Sequence, residues 1–300
     1  MEKLKLSVVI SNYNDGENLK KNLPLILDQS LKADEIIILD NKSTDNSLDI
    51  IKEIARKNKN VKVLVNEENI GVTNSYNRGY KEARGEYILF ASTNDKVFPG
   101  LFEKSVTMLE KYPQAGLSFS DIVALDYVNK KRIEVKYKYS KTPTYAPPKD
   151  IVKIIRKTTY ISSTSVIIRK SAWDLKEIYL TKLKWYSDGF AFNVIALRHG
   201  ACYIPEILSQ FHVSKSSYSY KGTRNFEEQK KILDEMHRLL KSKSFKDVYL
   251  GFIKSNLIRM MITDYKIIFH MLAHPKYWKF NPIVLTLYCI KDFLREKFEQ

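Results

Sequence analysis

The sequence predicts an α/β fold, a mostly parallel sheet flanked by helices, with a C-terminal helical appendage. Three observations carry that reading. From Leu6 to about Ser120, short apolar runs alternate with segments of helical periodicity, the pattern of βαβ units. The first, second and fourth runs end in polar side chains: Asn12 with Tyr13, Asp40, and Asn94 with Asp95. From about Asn225 strand alternation stops and helical patterns dominate. The expected division is residues 1–220 for the α/β domain and 221–300 for the helical extension.

The elements follow in order. Leu6-Ser7-Val8-Val9-Ile10-Ser11 is a buried strand, broken by Asn12-Tyr13-Asn14-Asp15. Asn14 or Asp15 suits the cap of a helix running to about Gln29, whose Leu19, Leu23, Ile26 and Leu27 share one face. Glu35-Ile36-Ile37-Ile38-Leu39 is the second strand, and a helix follows to about Lys57. Val61 to Val65 is the third strand, Thr73 to Ala83 a helix, and Tyr87 to Ala91 the fourth strand. Phe102 to Lys111 is helical and Ala115 to Ser120 extended, whereas Lys130 to Lys141 is basic, tyrosine-rich and turn-like. Pro143, Pro147 and Pro148 mark a loop, Asp150 to Lys157 a helix and Ser165 to Arg169 a strand. Trp185-Tyr186-Ser187-Asp188 opens an apolar helix that Gly200 stops. Leu250 to Leu272 is rich in Ile, Leu, Met and Phe, interleaved with Lys254, Arg259, Lys266 and His270; Trp278, Phe280 and Tyr288 add aromatics. These helices either pack on protein or lie on a membrane with their basic face to anionic headgroups.

Composition bounds the function. A hydrophobic fraction of 44% over 300 residues supports a sizeable core and argues against wholesale disorder. Two distant cysteines, Cys202 and Cys289, make neither a disulfide framework nor a metal-ligand spacing, which suits a reducing compartment. The first residues lack the apolar core of a signal peptide, and no apolar run reaches the ~20 residues of a spanning helix. The expected location is cytoplasmic, peripheral on the inner face of the cell membrane. A net charge of +16 points to an anionic partner, or to a lysine-rich surface kept soluble. Nucleic acid is not the expected partner: the basic residues are scattered, with no helix-turn-helix, zinc or aromatic RNP signature.

Parallel strands deliver their terminal side chains to one sheet edge, where ligands of open α/β sheets bind. Asp95 and Asn94 there offer hard oxygen ligands that suit Mg²⁺ or Mn²⁺ on a phosphate. The same two residues also suit a turn or a helix cap.

Four segments together resemble glycosyltransferase family two: Ser7-Val-Val-Ile-Ser-Asn-Tyr-Asn14; Asp40-Asn-Lys-Ser-Thr-Asp45; Asn69-Ile-Gly71 with Asn77-Arg-Gly79; and Gly85-Glu-Tyr-Ile-Leu-Phe with Asn94-Asp95 and Pro99-Gly100. Each piece is weak alone. Together, in order over about residues 5 to 215, they are specific. The resemblance implies a GT-A, Rossmann-like fold and an inverting transferase using nucleotide sugars. It implies that Ser11, Asn12, Tyr13 and Asp40 line the base and ribose pocket, and that Asn77 and Asn94 lie near the nucleotide. Arg78 either approaches the diphosphate or is a solvated helix residue. Asp95 would bind the divalent metal, Mn²⁺ or Mg²⁺. Asp188, in Lys184-Trp-Tyr-Ser-Asp188, matches the family's acidic acceptor-side position and is the candidate general base; it also suits a helix cap.

Two departures stand out. The family commonly carries Asp-x-Asp where this chain has Ser92-Thr93-Asn94, leaving Asp95 as the carboxylate there. The family's late histidine corresponds to the neighbourhood of His212 and Ser214, so His212 is either a metal or phosphate ligand or structural. The partners implied are a nucleotide-sugar donor, UDP-sugar favoured, a glycan or lipid-linked acceptor of cell-surface polysaccharide synthesis, and an anionic membrane surface. The alternative is a catalytically inactive relative that binds nucleotide sugar or glycan as a scaffold.

Overall fold

The computed structural model describes residues 5–262, 265–287 and 290, so Tyr288 and Cys289 lie outside the described residues. The chain runs β1 (Leu6–Asn12), α1 (Gly16–Leu27), β2 (Glu35–Asp40), α2 (Ser47–Lys57), β3 (Val61–Val65), α3 (Val72–Glu82), β4 (Tyr87–Ser92) and β5 (Lys96–Val97). There follow α4 (Leu101–Lys111), β6 (Leu117–Asp126), β7 (Lys131–Val135), β8 (Thr144–Ala146), α5 (Pro148–Thr158), β9 (Ile167–Arg169), α6 (Ser187–His199) and β10 (Ala201–Val213). Helices α7 (Tyr218–Gly222), α8 (Phe226–Lys241), α9 (Tyr249–Ser255) and α10 (Tyr265–Ala273) complete the series, with a 3-10 segment at Pro275–Phe280.

Strands β3, β2, β1 and β4 lie side by side and parallel. Their centres are continuous apolar runs because helices cover the sheet, and Val8, Val9, Ile36 to Leu39, Ile88 and Leu89 are fully buried. Register then sets the site: Asn12 pairs with Asp40, and Ser11 with Ser92. Glycine is needed where α3 crosses this sheet, since a Cβ on Gly79 would stand 2.2 Å from Val9 Cγ1.

The other half of the sheet is mixed. β6 and β10 are parallel, while β5, β7, β8 and β9 each join antiparallel, β9 filling the gap between β4 and β6. The expectation of a mostly parallel sheet therefore describes the half built from β1 to β4. The turn-like reading of Lys130 to Lys141 is corrected in part: β7 pairs with β6 from Asp126↔Lys131 to Ile122↔Val135. Its charged, exposed side chains are what an edge strand carries, and they mask its extended backbone in the sequence. The cap expected at α1 also differs. Asp15 holds the N-cap position, but its carboxylate accepts from the Asn18 amide (2.8 Å) and the Thr93 hydroxyl, so it ties the helix start to the β4 end.

Two compact units divide the chain: Met1–Ile151 with Ile161–Ser214, and Val152–Tyr160 with Lys215–Gln300. The sequence reading drew one boundary after residue 220; the second unit also takes the segment before Ile161. Its helix α8 is capped by Asn225, whose side chain accepts from the Glu228 N–H at 3.1 Å. Leu233, Met236, Phe252, Met271, Tyr277 and Phe280 form its core. Among the described residues, no helix is long and apolar enough to cross a membrane.

Candidate active site at the carboxyl edge of the sheet

The site has a side saturated with hydrogen bonds and a less saturated side. On the saturated side Asp40 is fully buried, and its carboxylate accepts from three donors: Asn12 Nδ2 (2.9 Å), Ser43 Oγ (2.6 Å) and the Ser43 N–H (2.9 Å). Asn12 Oδ1 is buried with no protein partner, so this face keeps one acceptor for a ligand donor. Tyr13 stands at the rim, 48% exposed. A second polar ring lies beside it. Ser11 Oγ accepts from Asn41 Nδ2 (3.1 Å), and Asn41 Oδ1 accepts from Ser75 Oγ (2.7 Å) and Asn66 Nδ2 (2.8 Å). Arg78 reaches into that ring, donating to Asn66 Oδ1 and to the Val65 carbonyl.

Asn77 faces elsewhere. Its amide donates to the Tyr179 carbonyl (2.8 Å) and accepts from the Tyr179 N–H (2.9 Å), clamping the chain that leads to Asp188. Asn94 accepts from Ser92 Oγ, and its carbonyl receives His212 Nδ1. A carbonyl can only accept, so Nδ1 carries the ring proton and Nε2 accepts from Gln210 Nε2 at 2.7 Å. Both His212 nitrogens are thereby engaged with protein.

The less saturated side holds Asp95 and Asp188, each partly exposed. Burial pushes the Asp95 carboxyl up to about 7; the His212 N–H, donating to Oδ1 at 3.1 Å, opposes this, and the negative charge of Asp188 adds to it. Burial likewise raises the Asp188 carboxyl above the usual range, against hydrogen bonds from the Ser163 hydroxyl and the Gly189 N–H (2.7 Å). Asp188 lies in the first turn of α6, where the helix N-terminus favours a negative charge. An aromatic wall supplies the low-dielectric surroundings. The Phe90 ring sits 5.5 Å from Tyr76 and 5.1 Å from Tyr179, and both tyrosines are raised by burial and by the charge of Asp188.

The sequence assigns no site role to Ser43, Asn41, Asn66, Ser75 or Ser163. Small polar residues in loops look like turn formers; Ser43 closes on Asp40 from three residues on, and the register of β1 against β2 brings Asn12 to the same carboxylate. Among the described residues, no three His, Cys, Asp or Glu side chains converge to hold a metal ion. The donor set instead fits a Mg²⁺ or Mn²⁺ that keeps several waters and takes one or two carboxylates plus substrate phosphates. Asp95, partly buried and raised by that burial, supplies an oxygen donor of the kind such a cation takes.

The comparisons with known proteins agree with this architecture. The family model for glycosyl transferase family 2 matches residues 7–176. An uncharacterized glycosyltransferase of Escherichia coli, YibD, is 38% identical over 104 residues, 35% of this chain and 30% of its own length. The amylovoran biosynthesis glycosyltransferase AmsE of Erwinia amylovora is 24% identical over 260 residues, 85% of this chain and 94% of its own. The chain spans 30% and 34% of the length of the first two curated relatives it matches. The crystal structure of S. aureus TarS 1-349 in complex with UDP-GlcNAc superposes with a TM-score of 0.63, covering 96% of this chain and 92% of that one at 14% identity, a likeness of fold. With the family model covering more than half of its 300 residues, the chain belongs to glycosyltransferase family 2.

Proposed function

We propose that the protein is an inverting glycosyltransferase that moves a sugar from a nucleotide-diphosphate sugar to a hydroxyl of a glycan or lipid-linked acceptor in cell-surface polysaccharide synthesis. The observation that carries this is the pairing of a saturated pocket around Asp40 with two partly buried, raised carboxyls, Asp95 and Asp188, in a chain whose fold resembles that of S. aureus TarS 1-349 in complex with UDP-GlcNAc. UDP-sugars are the favoured donors. The saturated pocket takes the nucleoside: Asn12 and Asp40 with Ser11 and Tyr13 line it, Asn94 lies beside it, and Arg78 is within one side chain of it.

In the reaction the acceptor oxygen attacks the anomeric carbon. Asp188 takes the acceptor O–H proton as that bond forms. The bond from the anomeric carbon to the diphosphate oxygen breaks, and its electron pair leaves with the nucleoside diphosphate. Attack and departure on opposite sides of the sugar invert the anomeric centre. A carboxyl held above its usual range is a better base near neutral pH than an exposed one. Asp95 would hold the Mg²⁺ or Mn²⁺ whose charge stabilises the departing diphosphate. Ser163 and the Gly189 N–H orient the Asp188 carboxylate. The partners that go with this reading are the donor, the acceptor and, from the cationic tail, an anionic membrane surface on the cytoplasmic side.

One observation favours a second reading, an inactive relative that holds nucleotide sugar or glycan: Ser92 and Asn94 stand where a second and third carboxylate are expected. Turnover separates the two. Release of UDP from a panel of UDP-sugars with Mn²⁺, lost in Asp188→Asn, is the expected result. Donor binding without release in any combination of sugar and acceptor would favour the second reading.

A further inference from the structure

The second unit carries a surface that the transfer chemistry does not use. Tyr265, Phe269, Trp278, Ile283 and Leu287 are each at least 60% exposed. In the first unit, among the described residues, Tyr127 is the only large apolar side chain so open. The exposure has a regular origin. Tyr265 and Phe269 are one helical turn apart on α10, with rings 6.0 Å apart, while Ile267, Ile268 and Met271 point into the core. Trp278 is fixed to the end of α10, its Nε1 donating to the Leu272 carbonyl at 2.9 Å. Ile283 and Leu287 repeat the one-turn spacing over Leu285, which is fully buried. The unit thus satisfies its own core and still leaves two spaced apolar pairs and a tryptophan in water.

Charge says what covers them. From Tyr265 to Ile290 the sequence holds no Asp or Glu, but Lys266, Lys276 and Lys279 with His270 and His274. Lys266 and Lys279 are exposed among the apolar side chains; Lys276 pairs with Asp234 on α8. Protein interfaces deplete lysine from their centres. Aromatic and aliphatic side chains alternating with lysines, without acids, match the headgroup boundary of an anionic bilayer, where aromatic rings sit and lysines reach phosphates.

We infer that residues 265–287 dock the protein on an anionic bilayer by shallow insertion of these five side chains, with the lysines on lipid phosphates. The inference rests on, and sharpens, the membrane partner named above: it assigns binding to apolar insertion at one segment and not to the diffuse +16 charge. A docked enzyme meets a lipid-linked acceptor at raised effective concentration.

The test uses the full-length protein and two sets of vesicles, pure phosphatidylcholine and phosphatidylcholine with about one-quarter phosphatidylglycerol, at roughly 0.1 M salt. Co-sedimentation is expected with the anionic set, together with a blue shift of tryptophan emission that disappears in Trp278→Phe while binding remains. The triple variant Phe269→Ser, Ile283→Ser, Leu287→Ser is expected to bind at least tenfold more weakly, and Lys266→Glu with Lys279→Glu to lose the preference for anionic lipid. Binding that survives the triple variant would overturn the docking segment. No binding to anionic vesicles would overturn the membrane partner itself. A dimer in lipid-free buffer that the triple variant converts to monomer would assign the surface to a second copy and overturn the inference. UDP-GlcNAc binding measured on the same samples checks the fold of each variant and keeps a failure here distinct from a failure of the transferase reading.

Discussion

Asp40 and Asp95 are two carboxylates at the same sheet edge treated in opposite ways, Asp40 fully buried and Asp95 partly exposed. Asp40 receives three donors from Asn12 and Ser43, so its carboxylate is saturated with hydrogen bonds. Asp95 receives one, from the His212 N–H, and shares its surroundings with Asp188, so burial drives its carboxyl up to about 7. The difference teaches how one edge divides its labour. Saturation gives a rigid pocket whose shape precedes the ligand. Under-saturation leaves free energy that a cation or a proton can recover. His212 belongs with the rigid part, since Asn94 and Gln210 hold both of its ring nitrogens.

The comparison breaks first at Asp188. Asp188→Asn keeps the hydrogen-bonding shape but removes the proposed base, so transfer is expected to fall by about 10²–10⁴-fold, with donor affinity nearly unchanged. A parallel loss of donor affinity would mean that Asp188 serves the pocket and not the chemistry. Asp40→Ala comes next: it strands the Asn12 and Ser43 donors in a dry site and is expected to cost about 3 kcal/mol of stability in urea unfolding, along with nucleotide binding. A variant as stable as the parent would show that water replaces the carboxylate easily and that the pocket is not rigid.

Asp95→Asn should act in the other direction. The folded carboxyl binds its proton more tightly than the unfolded chain does, so this group lowers stability as pH rises from about 4 to about 7, and its full cost is present above 7. Removing the charge is expected to raise the unliganded melting temperature at pH 8 by a few degrees, on the order of 1 kcal/mol, and to flatten its decline between pH 5 and 8. A destabilised variant would place Asp95 on the saturated side. The smallest expected effect is at Ser163. Without its hydrogen bond the Asp188 carboxyl rises further, so the acid limb of the pH–rate profile of Ser163→Ala is expected to move to higher pH while the rate on the alkaline plateau holds. An equal loss at every pH would mean that Ser163 acts only in packing.

Much of this edge was legible in the sequence because period and punctuation act locally. Apolar runs ending at Asn12, Asp40 and Asn94-Asp95 place those residues once the strands are parallel. What escaped depends on contacts far apart in the chain. Nothing near Ser163 announces that it meets Asp188, and Asn77 shows no sign in α3 that it clamps Tyr179, 102 residues away. β7 escaped for another reason: Lys131, Arg132 and Glu134 are solvated on an edge strand, and solvation writes the same letters there as in a loop. His212 looked like a ligand by type, and only its neighbours Gln210 and Asn94 show where its nitrogens are used.

The most direct test of the saturated-versus-unsaturated division is the affinity for UDP-GlcNAc from pH 5.5 to 8.5, with and without Mn²⁺, in the parent and Asp95→Asn. A nucleotide sugar lacks the terminal phosphate that titrates near ~6, so the pH dependence reports the protein. The account predicts a Mn²⁺-dependent gain that grows as pH rises through about 7 in the parent and is absent in Asp95→Asn. A gain that is equal at both ends of the range, or that survives in Asp95→Asn, would contradict it.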